Sequence, residues 1–150
     1  MKNAGIMKKK EFRFKVGPKK VGFGNQRTAY VARPYYASKI DKHSLYESIM
    51  DSSGIKKDKV VGVVDALITQ FEQLMMNGHT IHLEDFGSFK ISFDSASKET
   101  PDGFTDKDIK NPRIIFIPDI RLRKKIKESL FFTEMKDGDD SNEMSDEDEG

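Results

Sequence analysis

The stretch from Lys57 to Asn77 constrains this chain more than any other. Val60, Val63, Val64, Leu67, Ile68, Phe71, Leu74 and Met75 stand at offsets 0, 3, 4, 7, 8, 11, 14 and 15. That spacing lines one stripe of a 3.6-residue helix with apolar side chains, and such a stripe needs a surface to bury against. Asn77-Gly78 ends the helix. A shorter helix is predicted before it. Ser44 followed by Glu47 makes a capping box, Leu45 and Ile49 share an inner face, and Gly54 stands where a helix end takes a left-handed residue.

Period-two patterns flank the helices. Phe12, Phe14 and Val16 alternate with Arg13 and Lys15, predicting a short strand that Gly17-Pro18 stops. Gly22, Gly24 and Asn25 mark a loop, and Thr28 to Ala32 and Tyr35 to Ile40 are β-leaning pieces split by Pro34. After the long helix, Ile81 and Leu83 alternate with Thr80 and His82. A turn at Glu84 to Gly87 follows, then Phe89, Ile91 and Phe93 alternate with Lys90 and Ser92. Residues 94–112 are polar and turn-rich, with Pro101, Gly103 and Pro112. A connection that long inside a domain is usually functional or disordered. Ile114 to Ile117 reads as a third strand, and Asp119 as the N-cap of a last helix that turns Leu122 and Ile126 inward.

Charge is segregated. The formal net charge is only +1, yet residues 1–33 carry ten Lys/Arg against one acid, and residues 134–150 carry nine acids against one Lys. Such asymmetry points to polyelectrolyte partners or charged tails. From Glu134 onward the composition cannot build a core. The chain has no cysteine, which excludes disulfides, thiolate metal sites and thiol nucleophiles. No apolar run approaches the roughly 18 residues of a membrane span, and the basic start lacks the apolar segment of a secretory leader.

Enzymatic chemistry finds no foothold either. His79 and His82, read as lying on one strand, would point to opposite faces, and His43 stands apart, so no metal site is expected. Gly22-Phe23-Gly24 has no helix after it and is not a dinucleotide fingerprint. The expectation is a non-enzyme with no cofactor, no metal, no small-molecule substrate and no membrane partner.

From Asp41 onward the order is helix, helix, hairpin, long arm, strand, basic helix. Leu45, Gly54-Ile55, Val64-Asp65-Ala66, Gly78, Leu83 and Phe86-Gly87-Ser88-Phe89 fall, without a gap, at the spacing of the HU/IHF family of bacterial histone-like DNA-binding proteins, which this chain resembles. Leu83 to Phe89 is similar to the family's G-F-G-[TS]-F turn, with Asp85 in place of the first glycine. Phe116 and Leu122 match apolar anchors further on. The likeness covers roughly residues 41–130. Tyr35-Tyr36-Ala37 resembles the end of an N-terminal extension found in a longer HU-related branch. Glu99-Thr100-Pro101, Phe104 and Ile109-Lys110 resemble that branch's arm.

The resemblance implies an α+β fold and an intertwined homodimer. It would have two N-terminal helices, a three-stranded sheet with a protruding β-arm, and a short C-terminal helix. Phe86, Phe89, Phe116, Leu67 and Phe71 would form the dimer core. It also implies a cytoplasmic, nucleoid-associated protein that binds and bends or compacts double-stranded DNA with little base specificity, an arm proline wedging between base steps. The expected organisation is a basic, β-leaning extension at 1–40, an HU-like domain at 41–130 and a disordered acidic tail at 131–150.

Candidate DNA contacts are Arg121, Arg123, Lys124, Lys125 and Lys127 on the last helix. In or near the arm they are Lys98, Pro101, Lys107, Lys110 and Arg113. In the extension they are Lys8, Lys9, Lys10, Lys19 and Lys20, among a cluster with Arg13, Lys15, Arg27 and Arg33. The arm itself departs from a phosphate grip. Asp94 to Asp108 holds two lysines against Asp94, Glu99, Asp102, Asp106 and Asp108. That keeps open a second reading, an HU-fold dimerisation and protein-interaction module that has lost arm-mediated DNA binding.

Overall fold

Residues 8–138 are described by the computed structural model of the chain. They divide into two units, one formed by Ile40–Ile126 and the other by the segments on either side of it.

The central unit begins with α1 (Lys42–Ser53) and α2 (Lys57–Met76). Helix α1 starts earlier than the Ser44-Glu47 spacing predicts. Asp41 is the N-cap, and its carboxylate accepts the Ser44 amide N–H at 2.7 Å. An ionised cap at a helix start also opposes the helix dipole. The Ser44 amide and hydroxyl hold the Asp41 carboxyl below its ordinary value. Gly54 closes α1 in the left-handed region, at φ 71°, as expected.

Tyr46, not Leu45, is the residue of α1 that is buried. Its hydroxyl donates to Asp65 on α2, whose carboxylate also lies 2.6 Å from Lys42 Nζ. Of the α2 stripe, Val60 and Met75 are buried, whereas Val63 is 69% and Leu67 49% exposed in the single chain. The helix is as periodic as its sequence, yet half of its apolar stripe, Val63, Leu67, Ile68 and Leu74, stays exposed in the single chain.

Strands β3 (Ile81–Leu83), β4 (Gly87–Ser95) and β5 (Ile109–Pro118) form an antiparallel sheet in that order. The turn from β3 to β4 depends on two residues. Asp85 is left-handed at φ 64°, a conformation aspartate tolerates better than most residues. Gly87 admits the chain close to β5, since a Cβ there would stand 2.4 Å from Phe116 Cε2 and 2.5 Å from the Ile117 carbonyl oxygen. Phe89 then stacks on Phe116 at 4.8 Å and meets Phe71 edge-on at 5.1 Å, while Phe86 lies 5.2 Å from Phe116.

Two expectations for this sheet change. The polar connection at 94–112 is shorter than read, because β4 and β5 stay paired out to Ser95 and Ile109, past an irregularity between Ser92 and Asp94, and only 96–108 is loop, with a 3-10 turn at Asp106–Asp108. His79 precedes β3 rather than lying on it. Helix α3 (Ile120–Ser129) follows Asp119 directly, as predicted. The Asp119 carboxylate accepts the Asp85 amide N–H at 2.9 Å. Ile126, expected inside, is half exposed.

The second unit joins the two ends of the described chain. Strand β1 (Lys10–Val21) pairs antiparallel with β2 (Arg27–Pro34) and parallel with β6 (Leu130–Glu134), giving the order β2-β1-β6. Gly17-Pro18 does not stop β1. Strand β6 borders it only from Lys10 to Phe14, so Pro18 lies where one edge is open and a missing N–H is tolerated. Tyr35 to Ile40, read as β-leaning, forms no strand.

The expected tail boundary at 131 also differs from the structure. Phe131 to Glu134 belong to β6, Met135 is buried, and its amide N–H donates to the Phe14 carbonyl at 2.8 Å. Phe12 and Phe132 meet edge-on at 6.0 Å. The rest of the acidic segment, from 139 on, lies outside the described residues, as does the start of the chain through residue 7.

Candidate nucleic-acid interface

Three basic elements were singled out, and the structure treats each differently. In the arm, two of the cations pair with the arm's own acids. Lys98 Nζ lies 2.9 Å from the Asp108 carboxylate, donates to the Gly103 carbonyl and sits 5.0 Å from the centre of the Phe104 ring. Asp108 in turn accepts the Thr105 amide N–H at 2.7 Å. Lys98, then the Thr105 amide, hold the Asp108 carboxyl below its ordinary value. Lower on the arm, Arg113 pairs with Asp94 at 2.9 Å, and Asn111 donates to the same carboxylate at 3.2 Å. Asn111, then Arg113, depress the Asp94 carboxyl. Lys98 and Arg113 thus serve the arm's own carboxylates. Pro101, Lys107 and Lys110 are exposed.

Helix α3 is the opposite case. Arg121 reaches Asp85 at 3.1 Å with both side chains largely in solvent. Arg123, Lys125 and Lys127 are exposed, and among the described residues no carboxylate lies within ion-pair distance of them. Arg121 and Lys125, and Arg123 and Lys127, stand four apart on the helix. Like charges at that spacing repel by a few tenths of a kcal/mol per pair, which a polyanion relieves. Lys124 is exposed on the same helix.

The third element is the β1–β2 hairpin. Beyond Phe14 it runs without a third strand, from Lys15 opposite Arg33 to Val21 opposite Arg27. Cross-strand partners share a face, and so do alternate residues of one strand. The register therefore places Lys15, Lys19, Arg27 and Arg33 on one face, and Lys20 with Thr28 and Tyr30 on the other. Lys15 lies over the Tyr35 ring at 4.8 Å, and Arg33 donates to the Pro18 carbonyl at 3.3 Å. Lys8, Lys9 and Lys10 are exposed where β1 begins.

Sequence reasoning named Lys19 and Lys20 but did not see that a hairpin sorts the extension's cations by face. The signal was present in the two basic period-two runs on either side of Gly22 to Asn25. Candidate dimer-core residues are also partly open in the single chain. Phe86 is 46%, Phe116 41% and Leu67 49% exposed, while Phe71 and Phe89 are half-buried. His82 bonds Ser88 Oγ at 2.8 Å on the surface, and His43 lies 3.2 Å from Glu47. Among the described residues no group of three or more His, Asp or Glu could hold a metal ion, and no helix is long and apolar enough to cross a membrane.

A helix pair, a three-stranded sheet drawn out into a two-stranded arm, and a basic closing helix define an α+β domain of the HU type. The family described as "HU domain fused to wHTH, Ig, or Glycine-rich motif" (HU-HIG) matches residues 10–133, and this chain belongs to it. The match takes in both units, including β1, β2 and most of β6.

The DNA-binding protein HU of Thermus thermophilus is 31% identical over 91 residues, which is 59% of this chain and 93% of that protein. In fold, the chain is similar to a candidate bacterial DNA binding protein from Bacteroides vulgatus, with a TM-score of 0.59 at 11% identity over 86% of this chain. It spans about half, 51%, of that protein's length. The HU of an Anabaena HU-DNA cocrystal structure aligns at 18% identity with a TM-score of 0.46, over 58% of this chain and 97% of that one.

Proposed function

We propose that this chain is a non-enzymatic, histone-like protein of the bacterial nucleoid that binds double-stranded DNA as a homodimer. Contact is made mainly to phosphates and carries little base specificity. The observation that carries the proposal is the set of exposed cations Arg123, Lys125 and Lys127 on α3, with no carboxylate within ion-pair distance among the described residues, in a chain of the HU family. Phosphate neutralisation releases condensed counterions, and that term needs cationic side chains in solvent rather than base-reading geometry. The relative from Thermus thermophilus is named a DNA-binding protein, and HU-type proteins as a class bend the duplex they wrap.

The homodimer rests on the α2 stripe. A single chain leaves Val63, Leu67, Phe86 and Phe116 with large exposed fractions, and a second copy offers the same apolar face in return.

A second reading is favoured by one observation, the arm. Its Lys98 and Arg113 are held by its own acids, and Glu99, Asp102 and Asp106 remain exposed on it. Under that reading the arm meets a protein and the fold serves dimerisation.

Fluorescence anisotropy with a 30-mer duplex, plain and nicked, across a salt series separates the two. DNA binding predicts an affinity that falls log-linearly with salt, with a slope counting the phosphates neutralised. A folded dimer that binds neither duplex at low salt overturns it in favour of the interaction module.

A further inference from the structure

The β1–β2 hairpin carries a feature that phosphate contact alone does not explain. At its tip stands Phe23, as fully exposed as the side chain can be, at 109% of its reference area. Gly22 and Gly24 on either side both take positive φ, 112° and 85°. At Gly22 the glycine is required twice over, because a Cβ there would also stand 2.9 Å from the Asn25 carbonyl oxygen. A turn built on two such glycines offers the aromatic ring to solvent and gives it no apolar neighbour to fold back on.

The strands behind the ring are cationic. Lys15, Lys19, Arg27 and Arg33 share one face, and Lys20 lies on the other. Among the described residues no carboxylate lies within ion-pair distance of Lys19, Lys20 or Arg27. Lys15 and Arg33 are direct cross-strand partners, which concentrates positive charge on that face. From Lys15 to Val21 the ribbon extends about 20 Å at 3.3 Å per residue, and a two-stranded ribbon of that kind fits a duplex groove. Apolar side chains that enter a duplex do so as wedges at base steps, and phenylalanine is one of the residues that serve.

We infer that the N-terminal hairpin is this protein's DNA-gripping arm. Its cationic face tracks the phosphates of duplex DNA, and Phe23 inserts between base steps and bends it. The inference rests on the DNA-binding reading and deepens it by moving the grip from the acidic arm at 96–108 to residues 15–33. The arm around Pro101 has Lys98 bound to Asp108, and its exposed Lys107 stands among the exposed acids Glu99, Asp102 and Asp106. The hairpin has Lys19, Lys20 and Arg27 exposed and an apolar tip.

The test uses the full chain and a 30-mer duplex labelled at both ends, with binding read by anisotropy and bending by energy transfer. The variants are Phe23→Ala, Phe23→Leu, the double Lys19→Ala/Arg27→Ala, and Pro101→Ala. Thermal melts confirm folding, which these exposed positions leave intact.

Phe23→Ala is expected to bind within about threefold of wild type, yet to lose most of the energy-transfer change. Phe23→Leu retains an apolar wedge and restores it. Lys19→Ala/Arg27→Ala lowers the salt slope by about 4, two phosphate contacts in each chain of the dimer. Pro101→Ala matches wild type.

If wild type binds and bends the duplex while the hairpin variants match it, the inference is overturned and the DNA reading stands. If wild type binds no duplex, the DNA reading itself fails. Tighter binding of single-stranded DNA, or of anionic phospholipid vesicles, through Phe23 also overturns the duplex wedge, since the ring then serves as a stacking platform or a membrane anchor.

Discussion

Lys98 Nζ and the Asp108 carboxylate, 2.9 Å apart, close the tip of the long arm upon itself. The pair spans the loop between β4 and β5, and the same carboxylate accepts the Thr105 amide N–H while the lysine donates to the Gly103 carbonyl. A lysine held this way is already neutralised. Lys98→Ala is therefore expected to leave DNA affinity and its salt slope unchanged. Amide exchange at residues 96–108 should accelerate. A drop of about 2 in the salt slope, one contact in each chain of the dimer, would place Lys98 on a phosphate instead.

The same pairs make the arm sensitive to acid. Asp108 and Asp94 titrate below their ordinary 3.8 in the folded chain, held mainly by Lys98 and by Asn111 with Arg113 respectively. The unfolded arm then binds more protons than the folded one, so stability rises with pH through this window. The contribution is complete above 3.8 and is lost as pH falls below it through the folded values. Carboxyl carbon NMR should show both aspartates titrating below the ordinary 3.8, with arm amides losing protection over the same range.

Leu67 and Phe116 stand partly open on the face assigned to a second copy. A charge there breaks the dimer, because an ammonium group desolvated at an apolar interface has no partner. Leu67→Lys is expected to reduce the mass seen by light scattering from two chains to one and to lower the melting temperature. Wild-type protein that runs as one chain at micromolar concentration contradicts the dimer.

Gly87 and Gly54 separate two uses of glycine. Gly54→Ala places a Cβ in the left-handed region with open space around it, which costs about 1 kcal/mol. Gly87→Ala drives a Cβ to within 2.4 Å of Phe116 Cε2, and such overpacking costs about 1–3 kcal/mol. Denaturant melts of the two variants should rank in that order.

Met135 decides where the acidic segment can be cut. It is buried, and its amide bonds Phe14. Met135→Ala is expected to destabilise the β2-β1-β6 unit by about 2 kcal/mol or more. A chain ending at Thr133 loses Met135 and the last residue of β6, so its DNA binding would report an altered fold. A chain ending at Gly138 keeps both, and comparing its salt dependence with full length isolates the acidic tail. Equal melting temperatures for chains ending at Thr133 and Gly138 would contradict the role given to Met135.

The sequence by itself determined what neighbours along the chain decide. The α2 stripe, the Gly54 cap, the start of α3 after Asp119 and the β3–β4 turn around Asp85 all follow from relations between residues one to four apart, where helix and strand periods act. So did the HU-type order from Asp41 onward. The separation of cations and acids was legible as well, because it is a property of composition.

Only the tertiary structure decided which of those charges remain available. Lys98 and Asp108, and Arg113 and Asp94, are brought together by the register of β4 on β5, and nothing local announces that their charges cancel. The same holds for the hairpin, where pairing sets Lys15 against Arg33 and Val21 against Arg27 and so gathers the cations on one face. Strand β6 was hidden for the same reason. Phe131, Phe132 and Thr133 favour a strand, but five residues beside an acidic run need a partner, and the one they pair with, the β1 edge at Lys10, comes from the far end of the chain.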